Sequence, residues 1–359
     1  MNSTANAKRG RTVLHVVESW GGGVQTVVLD YVRAVPEARH YLLMHERDGC
    51  QVTGNAEDVF DGIWRMPDGH VARIREVGRR YRKLQPDVVH AHSSKAGTYV
   101  RLAMAVPTRR IIYTPHCYAM ERSDLGQHAS AAVQALERVL SRRTGTVAGV
   151  SPREVEMART LHPRQRAIYI PNLMPCQNAP AVRAEPRSSG TDTAVGLPPL
   201  SVVAGGRLCA QKDPGFFAAA AAEGQRLLSH SHWYWLGGGE PRYREELELA
   251  GVEVTGWLDR LTFQRLLGQA GVYVHAALWE GAPMTLLEAA GLGRPVVARR
   301  TPALESLGIP SLIDMPEELA AAAVEALLRE HQEEESPMAE LLFENNPEHQ
   351  RALLKYLYL

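Results

Sequence analysis

Long apolar runs are missing from this chain of 359 residues. The first candidate, Val13 to Val17, is broken by Glu18, and a membrane span needs about 20 apolar residues, a signal peptide a longer core than this. A cytoplasmic location is therefore expected. Cysteine is scarce too: Cys50, Cys117, Cys176 and Cys209 form no Cys-x-x-Cys pair, which excludes a disulfide framework and points to a reducing compartment. No charge of one sign prevails, because 40 basic side chains meet 40 acidic ones. That balance argues against a protein that lives on non-specific nucleic-acid binding. Lysine is rare, five against 35 arginines, and Asp-x-Asp is absent. What remains is ordinary globular composition, 45% hydrophobic and 22% charged, at a length that suits two domains.

The zero net charge is a cancellation. Residues 1–180 carry 25 Lys and Arg against 16 Asp and Glu, a net +9, and residues 181–359 carry the reverse, 15 against 24. Short apolar runs alternate with amphipathic stretches along both halves. Val13–Val17, Tyr41–His45, Val88–His92, Ile111–Thr114, Thr146–Val150 and Ala167–Ile170 read as strands in the first half. Leu200–Ala204, Trp233–Leu236, Val252–Thr255, Val272–His275 and Pro295–Ala298 do so in the second. Strands spaced by helices mean parallel α/β sheets covered on both faces. The stretch 179–199, rich in Pro, Ser, Gly and Thr, lacks periodicity and interrupts the alternation. The expected domains are 1–180 and 200–343, joined by a linker at 181–199. A terminal helix within 344–359, following the acidic run Glu333-Glu334-Glu335-Ser336-Pro337, is able to pack back on the first domain. In doubly wound folds ligands bind at the carboxyl ends of strands, so two such domains are expected to face a common cleft.

The richest segment is Trp279-Glu280-Gly281-Ala282-Pro283-Met284-Thr285-Leu286-Leu287-Glu288, followed by Ala-Ala-Gly-Leu-Gly-Arg-Pro-Val-Val-Ala. A strand ends at His275 and a helix opens near Thr285, whose first-turn N–H groups suit a phosphate. Glu280 and Glu288 bracket that mouth as acceptors for sugar hydroxyls, although Thr285-x-x-Glu288 also reads as a capping box. Earlier, Gly205-Gly206-Arg207-Leu208 with Lys212 places a guanidinium fork and a compact ammonium at a strand end; a solvated loop pair is the plainer reading. Trp235-Leu236-Gly237-Gly238-Gly239, Val254-Thr255-Gly256-Trp257-Leu258 and Gly21-Gly22-Gly23 are glycine-bearing turns after strands. Backbone can approach a ligand closely at such turns. Asp87-Val88-Val89-His90-Ala91-His92-Ser93-Ser94-Lys95-Ala96-Gly97 and Tyr113-Thr114-Pro115-His116 complete the set.

Together these segments, from about Val13 to Leu307, resemble the retaining GT-B glycosyltransferases of family GT4, whose E-x7-E motif matches Glu280 to Glu288. The resemblance implies two Rossmann-like domains and a metal-independent retaining transfer of a hexosyl or N-acetylhexosaminyl group from a nucleotide diphosphate sugar, UDP-sugar favoured. It implies no cofactor, with UDP as product. Glu280 is expected to bind the sugar, Glu288 the ribose, and Arg207 and Lys212 the diphosphate. His116 is expected near the donor sugar and leaving phosphate. Met284, Thr285, Leu286, Gly22, Gly23, Gly237, Gly238 and Leu258 are expected around the donor. Two departures stand out: Cys117 where relatives often have glycine, and an altered Pro-x-x-Glu spacing at Pro302 to Glu305, which therefore receives no role.

His90-x-His92 and His230-x-His232 put alternate strand residues on one face, but neither has a third ligand at recognisable spacing. Gly-Gly-Gly-Val-Gln-Thr is not the dinucleotide fingerprint. The +9 gathers in Arg73, Arg75, Arg79, Arg80, Arg82 and Lys83 on one helix, with Arg101, Arg109 and Arg110 after it. This is either a solvated face or a surface for anionic headgroups at the inner leaflet, which fits an acceptor that is a lipid-linked or polysaccharide precursor. A soluble secondary-metabolite acceptor, a nucleotide-sugar epimerase and a non-catalytic sugar-nucleotide-binding protein are the competing functions.

Overall fold

The computed structural model describes residues 10–46, 56–174, 196–329 and 345–359. Most of the expected linker, the acidic run before the last helix, Cys50 and Cys176 lie outside the described residues. The chain divides into two compact units: Met1–Glu121, Leu125–Asn172 and Asn346–Leu359 form one, Arg122–Asp124 and Leu173–Asn345 the other.

The first unit carries β1 (Thr12–Trp20), α1 (Gly22–Ala34), β2 (Arg39–Glu46), β3 (Gly62–Arg65), α2 (His70–Leu84), β4 (Val88–His92), α3 (Ser94–Leu102), β5 (Ile111–Thr114), α4 (Gln127–Ser141), β6 (Thr146–Gly149), α5 (Pro152–Leu161) and β7 (Ala167–Tyr169). Its sheet has the order β3-β2-β1-β4-β5-β6-β7 with every pair parallel. Strands β4 and β5 are buried along their whole length, because helices cover both faces of a parallel sheet. The order reverses between β1 and β4, which makes the carboxyl ends of these strands the place where such a fold takes a ligand.

The second unit carries β8 (Ser201–Gly205), α6 (Pro214–Leu227), β9 (His232–Leu236), α7 (Pro241–Leu249), β10 (Val252–Val254), α8 (Arg260–Gln269), β11 (Val272–His275), α9 (Met284–Gly291), β12 (Val296–Arg299), α10 (Pro302–Ser306), β13 (Leu312–Ile313) and α11 (Pro316–Leu328). Its parallel sheet runs β10-β9-β8-β11-β12-β13, reversing between β8 and β11. The last helix, α12 (Pro347–Tyr358), belongs to the first unit. Gln350 donates to the Pro171 carbonyl at 2.7 Å, and Arg351 and Lys355 pair with Glu37.

The basic helix is less free than its composition implies. Arg73 is buried and paired with Glu18 at 3.1 Å, and Arg79 and Arg80 both clamp Glu76. Arg101 is buried in a two-pronged pair with Glu137 at 2.8 and 2.9 Å, and Arg110 donates to Tyr81 and the Pro86 carbonyl. Arg75, Arg82, Lys83 and Arg109 are exposed.

Candidate active site

In the second unit the strand ends converge on Lys212 and Glu280. β8 ends in Gly205, and the Gly206–Leu208 loop locks against the glycines that follow β9. Gly206 N–H donates to Leu236, Leu208 N–H to Gly238, and Glu240 N–H back to Leu208, at 3.0, 2.9 and 3.0 Å. Gly237 sits at φ 144°, and a Cβ there would fall 2.1 Å from the Gly206 carbonyl oxygen. These glycines are therefore required by backbone crossing backbone, a stronger demand than an ordinary turn. Beyond the loop, a short turn ending at Lys212 brings its ammonium into an ion pair with Glu280, both side chains largely buried. The Glu280 loop is anchored on the same turn: Leu278 N–H donates to the Gln211 carbonyl, and the Gln211 amide to the Trp279 carbonyl.

Helix α9 opens directly after this loop. Pro283 is its N-cap, no side chain caps it, and no acidic side chain occupies its first turn, so its N-terminal N–H groups and dipole remain available to an anion. The capping-box reading is corrected: Thr285 lies inside the helix, with its hydroxyl 2.7 Å from that of Tyr273. The Leu286 side chain is fully buried in the core, so it can meet a ligand only through its backbone N–H. Glu288 is buried and pairs with Arg260, at the start of α8, at 2.9 Å. His275 ends β11, buried, with Nδ1 3.3 Å from the Tyr273 hydroxyl and, among the described residues, no hydrogen-bond partner for Nε2. Burial, then the Lys212 charge, holds its pKa far below the ordinary value. Arg207 is exposed on the same loop, and Leu258, half-buried, packs against the core beneath α9. The arrangement offers a cation, a carboxylate and a helix N-terminus to one diphosphate sugar.

In the first unit, Gly22 and Gly23 open α1 after β1, and His116 follows β5. His116 and Cys117 both lie at positive φ, 50° and 83°, a conformation uncommon for residues other than glycine. The buried carboxylate of Glu154 holds this bend, accepting the Cys117 N–H at 2.6 Å and the Val150 N–H at 2.8 Å. Burial pushes its pKa up to about 7. His90 and His92 do share one face of β4, and the sheet adds what spacing could not show: His15 of β1 lies opposite His90. Ligand nitrogens of these three come within 4.8 Å of one another, as a metal site requires. His90, however, is committed to Tyr358 Oη at 2.7 Å and Thr114 Oγ1 at 2.8 Å.

Sequence reasoning missed Arg260, Tyr273 and His275 in the second unit and His15, His40 and the holding role of Glu154 in the first. Only strand register could have revealed the histidines.

Residues 22–173 match the family described as Glycosyl transferase 4-like domain, and residues 199–329 the one described as Glycosyl transferases group 1. The chain belongs to the GT4 family of glycosyltransferases. This glycosyltransferase is 29% identical over 233 residues to the UDP-Gal:alpha-D-GlcNAc-diphosphoundecaprenol alpha-1,3-galactosyltransferase of Escherichia coli, a match spanning 60% of this chain and 58% of that enzyme. The chain thus aligns with less than two thirds of that relative. In three dimensions the glycosyltransferase superposes on Anabaena HepE in complex with UDP and glucose, with a TM-score of 0.66 at 16% identity, covering 97% and 95% of the two chains. It superposes equally on WaaG, a glycosyltransferase involved in lipopolysaccharide biosynthesis, with a TM-score of 0.65 at 15% identity and 96% of each chain covered. Its fold is GT-B.

Proposed function

We propose that this glycosyltransferase moves a hexosyl or N-acetylhexosaminyl group from a UDP-sugar to a hydroxyl of a lipid-linked or polysaccharide precursor, with retention and without a metal ion. The observation that carries the reading is the Lys212–Glu280 pair beside the uncapped N-terminus of α9. Breaking the anomeric bond leaves charge on a nucleoside diphosphate, and preorganised donors are the main means of stabilising it. Arg207, Lys212 and the first N–H groups of α9 fill that role, with Lys212 turning from Glu280 to the phosphate as charge develops. Glu280 takes sugar hydroxyls, Glu288 with Arg260 the ribose, and His116 the donor sugar. A phosphate oxygen of the leaving group takes the acceptor proton, so no protein nucleophile is assigned.

The E. coli relative supports the acceptor class by its name, and HepE supports UDP. Arg75, Arg82 and Lys83 on the exposed face of α2 would add about 1 kcal/mol each toward anionic headgroups. Flotation with anionic vesicles at low and high salt tests this attraction, and no binding in either removes it. The central test is transfer from a panel of UDP-, GDP-, ADP- and TDP-sugars to a polyprenyl diphosphate sugar, with and without EDTA. The anomeric configuration of the product is read by NMR. Turnover of UDP-sugar with an α-linked product, unchanged by EDTA, is expected. A product of inverted configuration, or epimerised donor without acceptor, would overturn the reading.

A further inference from the structure

Four imidazoles of the first unit form one continuous row. His40 Nε2 lies 2.8 Å from the Val35 carbonyl oxygen, and His40 Nδ1 3.0 Å from His15 Nε2. His15 Nδ1 lies 3.1 Å from His92 Nε2, and His92 Nδ1 3.2 Å from His116 Nε2. We propose that His92, His15 and His40 are positioning residues that fix His116 as its Nε2–H tautomer and so present its Nδ1 as an acceptor for a hydroxyl of the bound sugar. The proposal rests on the reading of the chain as acting on a nucleotide sugar.

The direction of the row follows from its end. A carbonyl oxygen only accepts, so His40 carries its hydrogen on Nε2, and a neutral imidazole then has a lone pair on Nδ1. His15 must donate to that lone pair from Nε2, which leaves its own Nδ1 to accept from His92. His92 in turn accepts from His116. The opposite direction would set the His40 lone pair against a carbonyl lone pair and leave two buried acceptors facing each other. Burial lowers the pKa of all four rings, His116 to about 3, so each has one hydrogen to place. His90 does not divert the row, since Tyr358 and Thr114 take both its nitrogens.

Because the row stops on an amide carbonyl, which takes no proton, it cannot carry one away. It orients. Among the described residues the Nδ1 of His116 has no hydrogen-bond partner, and the strained bend held by Glu154 fixes where it sits. A lone pair there repels a phosphate oxygen and welcomes a hydroxyl.

The test uses the full chain with ring-15N histidine and long-range 1H–15N correlation, assigned by single substitutions. Ligand-free wild type is expected to show pyrrole-type Nε2 and pyridine-type Nδ1 for His40, His15, His92 and His116. In His40→Phe, three rings away, the two nitrogen shifts of His116 are expected to converge as its tautomers mix. UDP-hexose is expected to move the His116 Nδ1 resonance, and UDP alone to leave it in place. His92→Phe should lower kcat about fivefold, the worth of one hydrogen bond, and His92→Gln, which keeps a donor and an acceptor, should restore most of it. A His116 protonated on Nδ1, or one unmoved by His40→Phe, or a response to UDP alone, overturns the proposal. Should His92→Phe fail to fold, the wild-type and His40→Phe spectra still decide. Tautomers as expected in a protein that transfers no sugar would uphold the lock and count against the transfer reading instead.

Discussion

Two glycines show how differently one residue type can be required. At Gly237 the space for a side chain is already filled by the Gly206 carbonyl, whereas at Gly256, φ 74°, a Cβ would meet nothing within 4 Å. Gly256→Ala is expected to cost only the left-handed backbone, about 1 kcal/mol, and Gly237→Ala several times that, with loss of nucleotide binding. Thermal denaturation with and without UDP separates the two. Glu154→Gln makes a second prediction at this scale. An amide nitrogen cannot accept an N–H, so one of the two bonds to Cys117 and Val150 is lost, costing about 1–3 kcal/mol, read by urea denaturation. At the residue scale the sequence was legible where a side chain's placement follows from its neighbours in the chain. Lys212 and Glu280 were named from motif and strand ends and do meet. Glu154 was obscured because Ser151-Pro152-Arg153-Glu154 reads as an N-cap; Ser151 does cap α5, but the carboxylate reaches out to Val150 and Cys117. Nothing at spacing 28 ties Arg260 to Glu288, so that pair had no local signal.

Among elements, strands buried on both faces were legible because a continuous apolar run has few other uses. The strands that were not anticipated are the exceptions to that pattern: β3, a half-exposed edge strand of four residues, and β13, a pair of residues. Charge patterning on α2 was legible as composition but not as energetics, because the carboxylates that neutralise Arg73, Arg79 and Arg80 include Glu18, far away in sequence. The contact between α3 and α4 carries the clearest energetic prediction. Arg101 stacks over the Tyr113 ring at 4.1 Å while held by Glu137. Glu137→Ala would strand a buried guanidinium and is expected to cost about 3–5 kcal/mol, measured by urea denaturation. Replacing both residues with apolar side chains should recover much of that loss.

For the molecule as a whole, buried imidazoles set the response to acid. His15, His40, His90, His92, His116 and His275 all have pKa values lowered by burial. Above about pH 6.5 folded and unfolded chains both hold them neutral; below it the unfolded chain binds protons that the folded one refuses, so stability falls with pH. Glu154 acts the other way, because its folded carboxyl takes up a proton near pH 7 while the unfolded one waits until about pH 4.5. Glu121, raised by burial, acts in the same direction as Glu154, and six groups outweigh two. Urea midpoints are expected to drop steeply below about pH 6.5, and to drop less in His275→Phe, with the difference opening at that pH and widening on further acidification.

The assignment of α12 to the first unit has a consequence for how the protein is made. The chain leaves that unit at Asn172 and returns to it at Asn346, so during synthesis the second unit has all of its sequence out of the ribosome first. The first unit must wait, one helix short, for α12. Until Tyr358 arrives, the Nδ1 of His90 has no hydroxyl to meet inside an apolar face, and Pro171 no amide from Gln350. A chain cut after Asn346 would keep the whole sequence of the second unit and leave the core of the first unit open.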